Sequence, residues 1–292
     1  MIRIGILGTD NSHSIGFSRF FNVAGEKHHI SGAKVVAVYG EDRKRTEEVA
    51  EKGQIARIVK RPKDMIGMID AAIVDFRHGH KHLKYTRPLI EAGIPTFVDK
   101  PLASSVAGAR KIVAVAKKSR VPITSFSTVR FGAGMDEFKK AVKKIGKPRN
   151  IVIWGPGDAR DQYDGIFFYA VHQVELMLEV FGNDVCCARG VDYDGMLAAQ
   201  VVYNNGMVAT MHEINTRNYW PRFQAFAFGS DGAAEYDGAK AEDGFFVGAK
   251  TFTRMFQTGK MPYPYKDLTV STRVLAAIDR SMKLRGKEVR IR

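Results

Sequence analysis

Three groups of side chains in this chain have the types and spacing to do chemistry. The first is Asp99-Lys100-Pro101, which follows a glycine stop at Gly93 and a short strand-like run over residues 94–98. Open parallel sheets receive their ligands at the carboxyl ends of strands. A lysine held at that lip can donate a proton or a hydrogen bond to a substrate oxygen, and Pro101 presses Lys100 out of helical geometry. A solvated strand-end lysine is the commoner fate of this residue type. The second group is His172 with Glu175 three residues later, on one face if the segment is helical. An imidazole beside a carboxylate in a cleft is an acid–base pair, whereas a histidine among apolar residues is more often a satisfied core group. The third is Gly8-Thr9-Asp10-Asn11-Ser12-His13, between a strand pattern and a helix pattern. A helix N-terminus at that place suits a phosphate, and Asp10, Asn11 and Ser12 are equally natural helix caps. His80-x-His82, with His172 and Glu175, also offers ligand types suited to zinc or another divalent ion.

The elements that must carry these groups alternate in the first half. Strand patterns over residues 2–8, 34–39, 71–76, 96–98 and 121–125 are separated by helix patterns over 14–24, 43–52, 82–92 and 104–118. That alternation predicts a doubly wound parallel sheet with right-handed crossovers. After about residue 130 the rhythm changes. Helices are expected over 131–144 and 165–181, and a strand over 150–154. Strand pairs then flank Asn204-Asn205-Gly206 and Gly229-Ser230-Asp231-Gly232, which are hairpin turns by composition. A last helix, 268–284, precedes a Val289-Arg290-Ile291 tail. The expected fold class is therefore an α/β Rossmann-type domain over 1–125 and an α+β domain with a mainly antiparallel sheet over 126–292. Helix 268–284 is a candidate to pack back on the first domain.

Composition narrows the function classes. A chain of 292 residues, 45% hydrophobic and 26% charged, has material for two cores. No apolar run approaches the roughly 20 residues of a membrane span. Cys186 and Cys187 are adjacent, so a strand or helix points them apart; they read as reduced and structural, which with a strand pattern directly after Met1 suggests the cytoplasm. The net charge of +14 is spread over many segments without a basic helix or nucleic-acid motif. Dispersed charge of this kind suits solubility or small anionic ligands rather than nucleic acid.

The order of elements, with Glu91-Ala92-Gly93 through Asp99-Lys100-Pro101, resembles the Gfo/Idh/MocA oxidoreductases (the glucose–fructose oxidoreductase and inositol dehydrogenase family) over nearly the whole chain. It does so most specifically between Asp70 and Phe131. In that family a Glu-Lys-Pro triplet follows the fourth strand, an Asn-His-x-His run follows the third, and an Arg-Phe pair marks the crossover. Here these are Asp99-Lys100-Pro101, Gly79-His80-Lys81-His82 preceded by Arg77, and Arg130-Phe131. The resemblance implies NAD- or NADP-dependent oxidation or reduction of a sugar, polyol or related hydroxy or keto compound. Lys100 would hold the reacting oxygen and His172, with Glu175 beside it, would move the proton. Cofactor contacts would come from Gly8, Thr9, Asp10, Asn11, Ser12, Glu41, Asp42, Arg43, Arg77, His80, His82 and Asp99. The resemblance also accounts for the His-x-His run without a metal, and it implies a homo-oligomer formed through the antiparallel sheet.

The chain departs from the family pattern in three places. Of the usual Gly-x-Gly-x-x-Gly loop only Gly8 survives, and Asp10 brings a carboxylate towards the path of a pyrophosphate. At the end of the second strand, where an acid normally meets the ribose, stands Gly40, followed by Glu41, Asp42 and Arg43. Arginines there suit the 2′-phosphate of NADP and the acids suit NAD, so both remain open. The family's aspartate four residues before its histidine is replaced by Phe168. These losses keep a second function class in view, a non-redox or accessory member of the fold that binds a small ligand without turnover.

Overall fold

The computed structural model describes residues 1–216, 218–238 and 244–292. Strands β1 (Ile2–Leu7), β2 (Ala33–Tyr39), β3 (Arg57–Ile58), β4 (Ala71–Val74), β5 (Thr96–Val98) and β6 (Ile123–Thr124) form one parallel sheet in the order β3-β2-β1-β4-β5-β6. All of β4 and β5 and the last four residues of β1 are buried. Strands apolar on both faces belong to sheets with helices above and below. The helices are α1 (His13–Asn22), α2 (Arg43–Lys52), α3 (His82–Glu91) and α4 (Val106–Ser119). The limits of α2 follow from its flanks. The Asp42 carboxylate accepts the Arg45 N–H at 2.6 Å, and Gly53 ends the helix.

The chain forms two compact units, which interleave in sequence. The first comprises Met1–Ala103, Ala107–Phe126 and Phe246–Thr269; the second comprises Ser104–Val106, Ser127–Phe245 and Val270–Arg292. Helix α7 (Gly244–Thr258), which has no counterpart in the expected elements, brings Phe252 into the first unit. Its ring stacks on Phe97 at 4.4 Å and meets Phe17 edge-on at 5.3 Å. All three rings are fully buried, each contributing about 2–3 kcal/mol of burial free energy. The sheet has six strands where the sequence pattern shows five. The extra strand, β3, is two exposed residues on the β2 edge and carries no periodic signal.

In the second unit α5 (Met135–Val142), α6 (Ile166–Phe181) and α8 (Val270–Lys283) accompany a seven-stranded sheet. Its strands are β7 (Pro148–Pro156), β8 (Val185–Tyr193), β9 (Met196–Tyr203), β10 (Val208–Ile214), β11 (Gln224–Gly229), β12 (Ala233–Asp237) and β13 (Val289–Arg290), in the order β12-β11-β7-β10-β9-β8-β13. Only β7 and β10 run parallel. The two expected hairpins, β9–β10 and β11–β12, form at the Asn-Gly and Asp-Gly turns. One face carries Ile151, Ile153, Leu197, Val201 and Met211 into the core with α6 and α8. Helix α8 packs within this unit, where Val274, Leu275 and Ile278 are buried. The tail expected at 289–291 adds β13 beside β8, and β8 holds the free thiols Cys186 (half-buried) and Cys187 (buried). Among the described residues no helix is long and apolar enough to cross a membrane.

The turn leaving β1 depends on one residue. Gly8 has φ +111°, and a Cβ there would lie 2.5 Å from the carbonyl carbon and oxygen of Asp75. Gly8→Ala combines a left-handed backbone with a main-chain clash, so it is expected to cost about 2–4 kcal/mol. Urea unfolding of the variant measures this; an unchanged midpoint would refute the assignment.

Candidate active site

At the carboxyl edge of the first sheet the ends of β1, β4 and β5 bring two acids together. Asp75 follows β4 and Asp99 follows β5, and both are fully buried. The Asn11 Nδ2 donates to Asp75 Oδ1 at 2.9 Å and to Asp99 Oδ2 at 3.3 Å. His13 Nδ1 lies 2.9 Å from Asp99 Oδ2. Asp10 turns its carboxylate to the Arg77 main-chain N–H, with oxygens at 3.3 and 3.4 Å. The two positions that would hold fingerprint glycines, Asp10 and His13, thus stitch the first loop to the loops after β4 and β5. Burial, reinforced by the charge of Asp99, pushes Asp75 well above the usual carboxylate range. Burial acts on Asp99 in the same direction, but the neighbouring His13, Lys100 and His82 outweigh it and hold Asp99 down to about 2.

Of the helix-cap readings for this loop, Ser12 occupies the N-cap of α1 but makes no side-chain cap bond. Asn11 Oδ1 accepts the His13 N–H at 3.4 Å, so one first-turn donor of α1 is met by the residue before the cap, while Ser12 leaves the next ones to a ligand or solvent. Thr9 is buried with its Oγ1 at 3.2 Å from that of Thr46, and its carbonyl accepts Arg45 Nε at 2.8 Å. A Cβ on Gly40 would fall 2.0 Å from the Thr9 hydroxyl, which explains glycine at that strand end.

Beyond Gly40, Glu41 is fixed by Lys81 Nζ at 2.5 Å and the Tyr85 hydroxyl at 2.6 Å, and these bonds lower its pKa. Asp42 is spent as the α2 cap, and Arg43 pairs with Glu47 on the same helix. His80 is exposed beside the His78 ring. His82 is fully buried, with Nε2 at 2.8 Å from the Phe76 carbonyl and Nδ1 at 2.8 Å from that of Pro101. Burial lowers its pKa. That ring braces the loops on either side of Lys100, itself buried and joined to Pro101 by a cis peptide bond.

In the second unit α6 carries His172, whose Nδ1 lies 2.7 Å from the Ser127 hydroxyl and whose ring packs on Phe223 at 5.0 Å. Glu175, on the same helix, is ion-paired with Arg130, which also reaches Glu179 at 2.9 Å. The carboxylate expected beside the histidine is thus engaged by the arginine of the Arg130-Phe131 pair, and a serine hydroxyl meets the imidazole. Sequence reasoning missed Ser127, Asp75 and Glu213. Asp75 was legible as an acid ending an otherwise apolar run; Ser127 had no signal. Glu213 lies on β10 with both oxygens buried and without a hydrogen-bond partner among the described residues. Gly157 admits it, since a Cβ there would stand 2.1 Å from Oε1.

A parallel sheet with this strand order and a glycine turn leading into α1 at the central strand is the Rossmann class of nucleotide-binding domain. Residues 2–126 match the GFO_IDH_MocA model, described as an oxidoreductase family with an NAD-binding Rossmann fold. The inositol 2-dehydrogenase of Agrobacterium fabrum is 34% identical over 199 residues, 64% of this chain and 56% of its own length. The chain spans about half the length of the curated relatives it matches. Myo-inositol 2-dehydrogenase from Lactobacillus plantarum shares the fold over 100% of this chain and 99% of its own, with a TM-score of 0.85 at 19% identity. Scyllo-inositol dehydrogenase from Lactobacillus casei, solved with NAD(H) and scyllo-inositol, has the same coverage and a TM-score of 0.85 at 14% identity.

Glu213 yields a pH prediction. Burial, with Asp158 and Asp161 nearby, raises its pKa well above the ordinary value. As pH rises past the ordinary carboxylate range the unfolded chain releases this proton while the folded chain keeps it. The folded state then binds more protons, and its stability falls with rising pH. Glu213→Gln is therefore expected to be more stable than the parent at pH 8, because the amide carries no proton that the buried site must retain. The two should converge near pH 4. Urea titrations at both pH values check this; a gain as large at pH 4 as at pH 8 would contradict it.

Proposed function

We propose that the chain is an NAD-dependent dehydrogenase of a polyol or related carbohydrate-like compound. The observation that carries this reading is the first loop. Gly8 turns the chain sharply at the end of the central strand, and the Ser12 N-cap of α1 makes no side-chain cap bond of its own. Both features fit a pyrophosphate received at the α1 N-terminus. The relatives named as inositol dehydrogenases support the substrate class. Preference for NAD over NADP rests on the residues beyond β2. Glu41 is held anionic by Lys81 and Tyr85, while Arg43 and Arg45 are engaged by Glu47 and Glu48. A 2′-phosphate would meet an acid and no uncommitted arginine among these residues.

A nicotinamide held at this edge would supply the acceptor for a hydride from the carbinol carbon. Lys100 donates a hydrogen bond to the reacting oxygen and stabilises its developing negative charge. His172 takes the hydroxyl proton, with Ser127 fixing its Nδ1 side so that Nε2 exchanges the proton. Glu175 acts at one remove: its pair with Arg130 anchors the helix that carries His172.

Copies of the chain associate, in this reading, through the outer face of the second sheet. There Trp154 stacks on Phe226 at 5.7 Å and Phe228 is 44% exposed, an apolar surface suited to a second copy. Light scattering after size exclusion should return a multiple of the 32.5 kDa chain mass, and Phe226→Arg should return the monomer. A monomeric parent protein would overturn this.

Fluorescence titration with NAD and steady-state turnover of inositols test the catalytic reading. Lys100→Ala and His172→Ala should each lower turnover by about 10²–10⁴-fold with NAD affinity little changed. Asp10→Gly should tighten NAD binding by removing a carboxylate from the phosphate path. Absence of NAD binding in both the parent and Asp10→Gly would leave the non-redox ligand-binding reading in its place.

A further inference from the structure

We propose that His13, Asp75 and Asp99 form a site for one divalent cation at the carboxyl edge of the first sheet. Each offers a ligand atom, and these atoms lie within 4.8 Å of one another. Nitrogen and oxygen ligands at about 2.0–2.2 Å from an ion stand roughly 3–4 Å apart, so small rotamer adjustments that shorten the separations by roughly 1–2 Å close the set. A second observation comes from the hydrogen bonds. Asn11 satisfies one oxygen of each acid, and among the described residues Asp75 Oδ2 and Asp99 Oδ1 have no hydrogen-bond partner although both residues are fully buried. Buried carboxylate oxygens without a donor are costly, and a cation held by the two acids would offset that cost. His13, which is partly exposed at 24%, gives an entry path from solvent.

One imidazole and two carboxylates suit a first-row ion such as Mn²⁺ or Zn²⁺, with coordination positions left over for water or a ligand. The set follows the strands whose ends receive phosphate in this fold. A bound cation would cancel the two acids and give an incoming pyrophosphate oxygen a partner, in place of the two missing fingerprint glycines. That last step rests on the dinucleotide reading above; binding of the ion itself does not.

The test uses the full chain, stripped with chelator and desalted, and Mn²⁺ as the probe. Electron paramagnetic resonance titration without nucleotide should show one Mn²⁺ per chain. His13→Gln and Asp75→Asn should each weaken it by at least about tenfold. Circular dichroism confirms that each variant is folded, and His13→Gln, at the partly exposed position, serves if Asp75→Asn is not. NAD titrations with and without Mn²⁺ follow, and NAD should bind more tightly with the ion. No Mn²⁺ binding up to millimolar concentrations, or binding undiminished in the folded variant, overturns the site. If Mn²⁺ binds as described and NAD binds under neither condition, the metal site stands and the dinucleotide reading falls. NAD binding without any Mn²⁺ binding gives the reverse result.

Discussion

Two carboxylates buried side by side constrain everything around the first loop. Asp75 and Asp99 sit where β4 and β5 end, and neither reaches solvent. Isolated charges in such surroundings are intolerable, so donors and counter-charges must be built around them. Asn11 and His13 supply them from the β1 loop, which explains why that loop has exchanged glycines for long polar side chains. His82, held between the carbonyls of Phe76 and Pro101, locks the two acid-bearing loops to each other. Lys100 is therefore the end of a rigid assembly rather than a mobile strand-end lysine.

The second unit solves a simpler problem. Its sheet alternates buried and more exposed side chains along β9 and β10, and α6 and α8 cover the buried, largely apolar face. His172 is fixed by its own helix, by Ser127 and by the Phe223 ring. The Arg130 bridge to Glu175 and Glu179 ties the start of this unit to the same helix, so the imidazole inherits its orientation from several elements at once.

Legibility in the sequence followed the strength of local signals. Helix α2 was readable to the residue because Asp42 and Gly53 bracket it, and the two hairpins because Asn-Gly and Asp-Gly turns require left-handed backbone. Strand β3 and helix α7 were not: one is two exposed residues, and the other is anchored by aromatic contacts to residues more than a hundred positions away. In the site, Lys100, Asp99 and His172 stood out through motif and position. Asp75 carried only the weak signal of an acid at the end of an apolar run and Ser127 carried none, because their significance lies in partners brought close only by the fold. Glu175 illustrates the limit of spacing arguments, since helical periodicity puts it on the His172 face but says nothing of Arg130 arriving from the crossover.

The aromatic cluster of Phe17, Phe97 and Phe252 bears on how this protein can be cut. The nucleotide-binding motif ends by residue 126, yet one wall of that unit's core is contributed by residues 246–269. A fragment comprising only the matched region would expose the rings of Phe17 and Phe97 to water. The units are thus not modules that evolution or a protein engineer can exchange at a single junction. A transplant of the first unit must carry residues 246–269 as well as the stretch before residue 127, and a proteolytic nick between residues 245 and 270 would loosen a unit whose other residues all lie more than a hundred positions earlier.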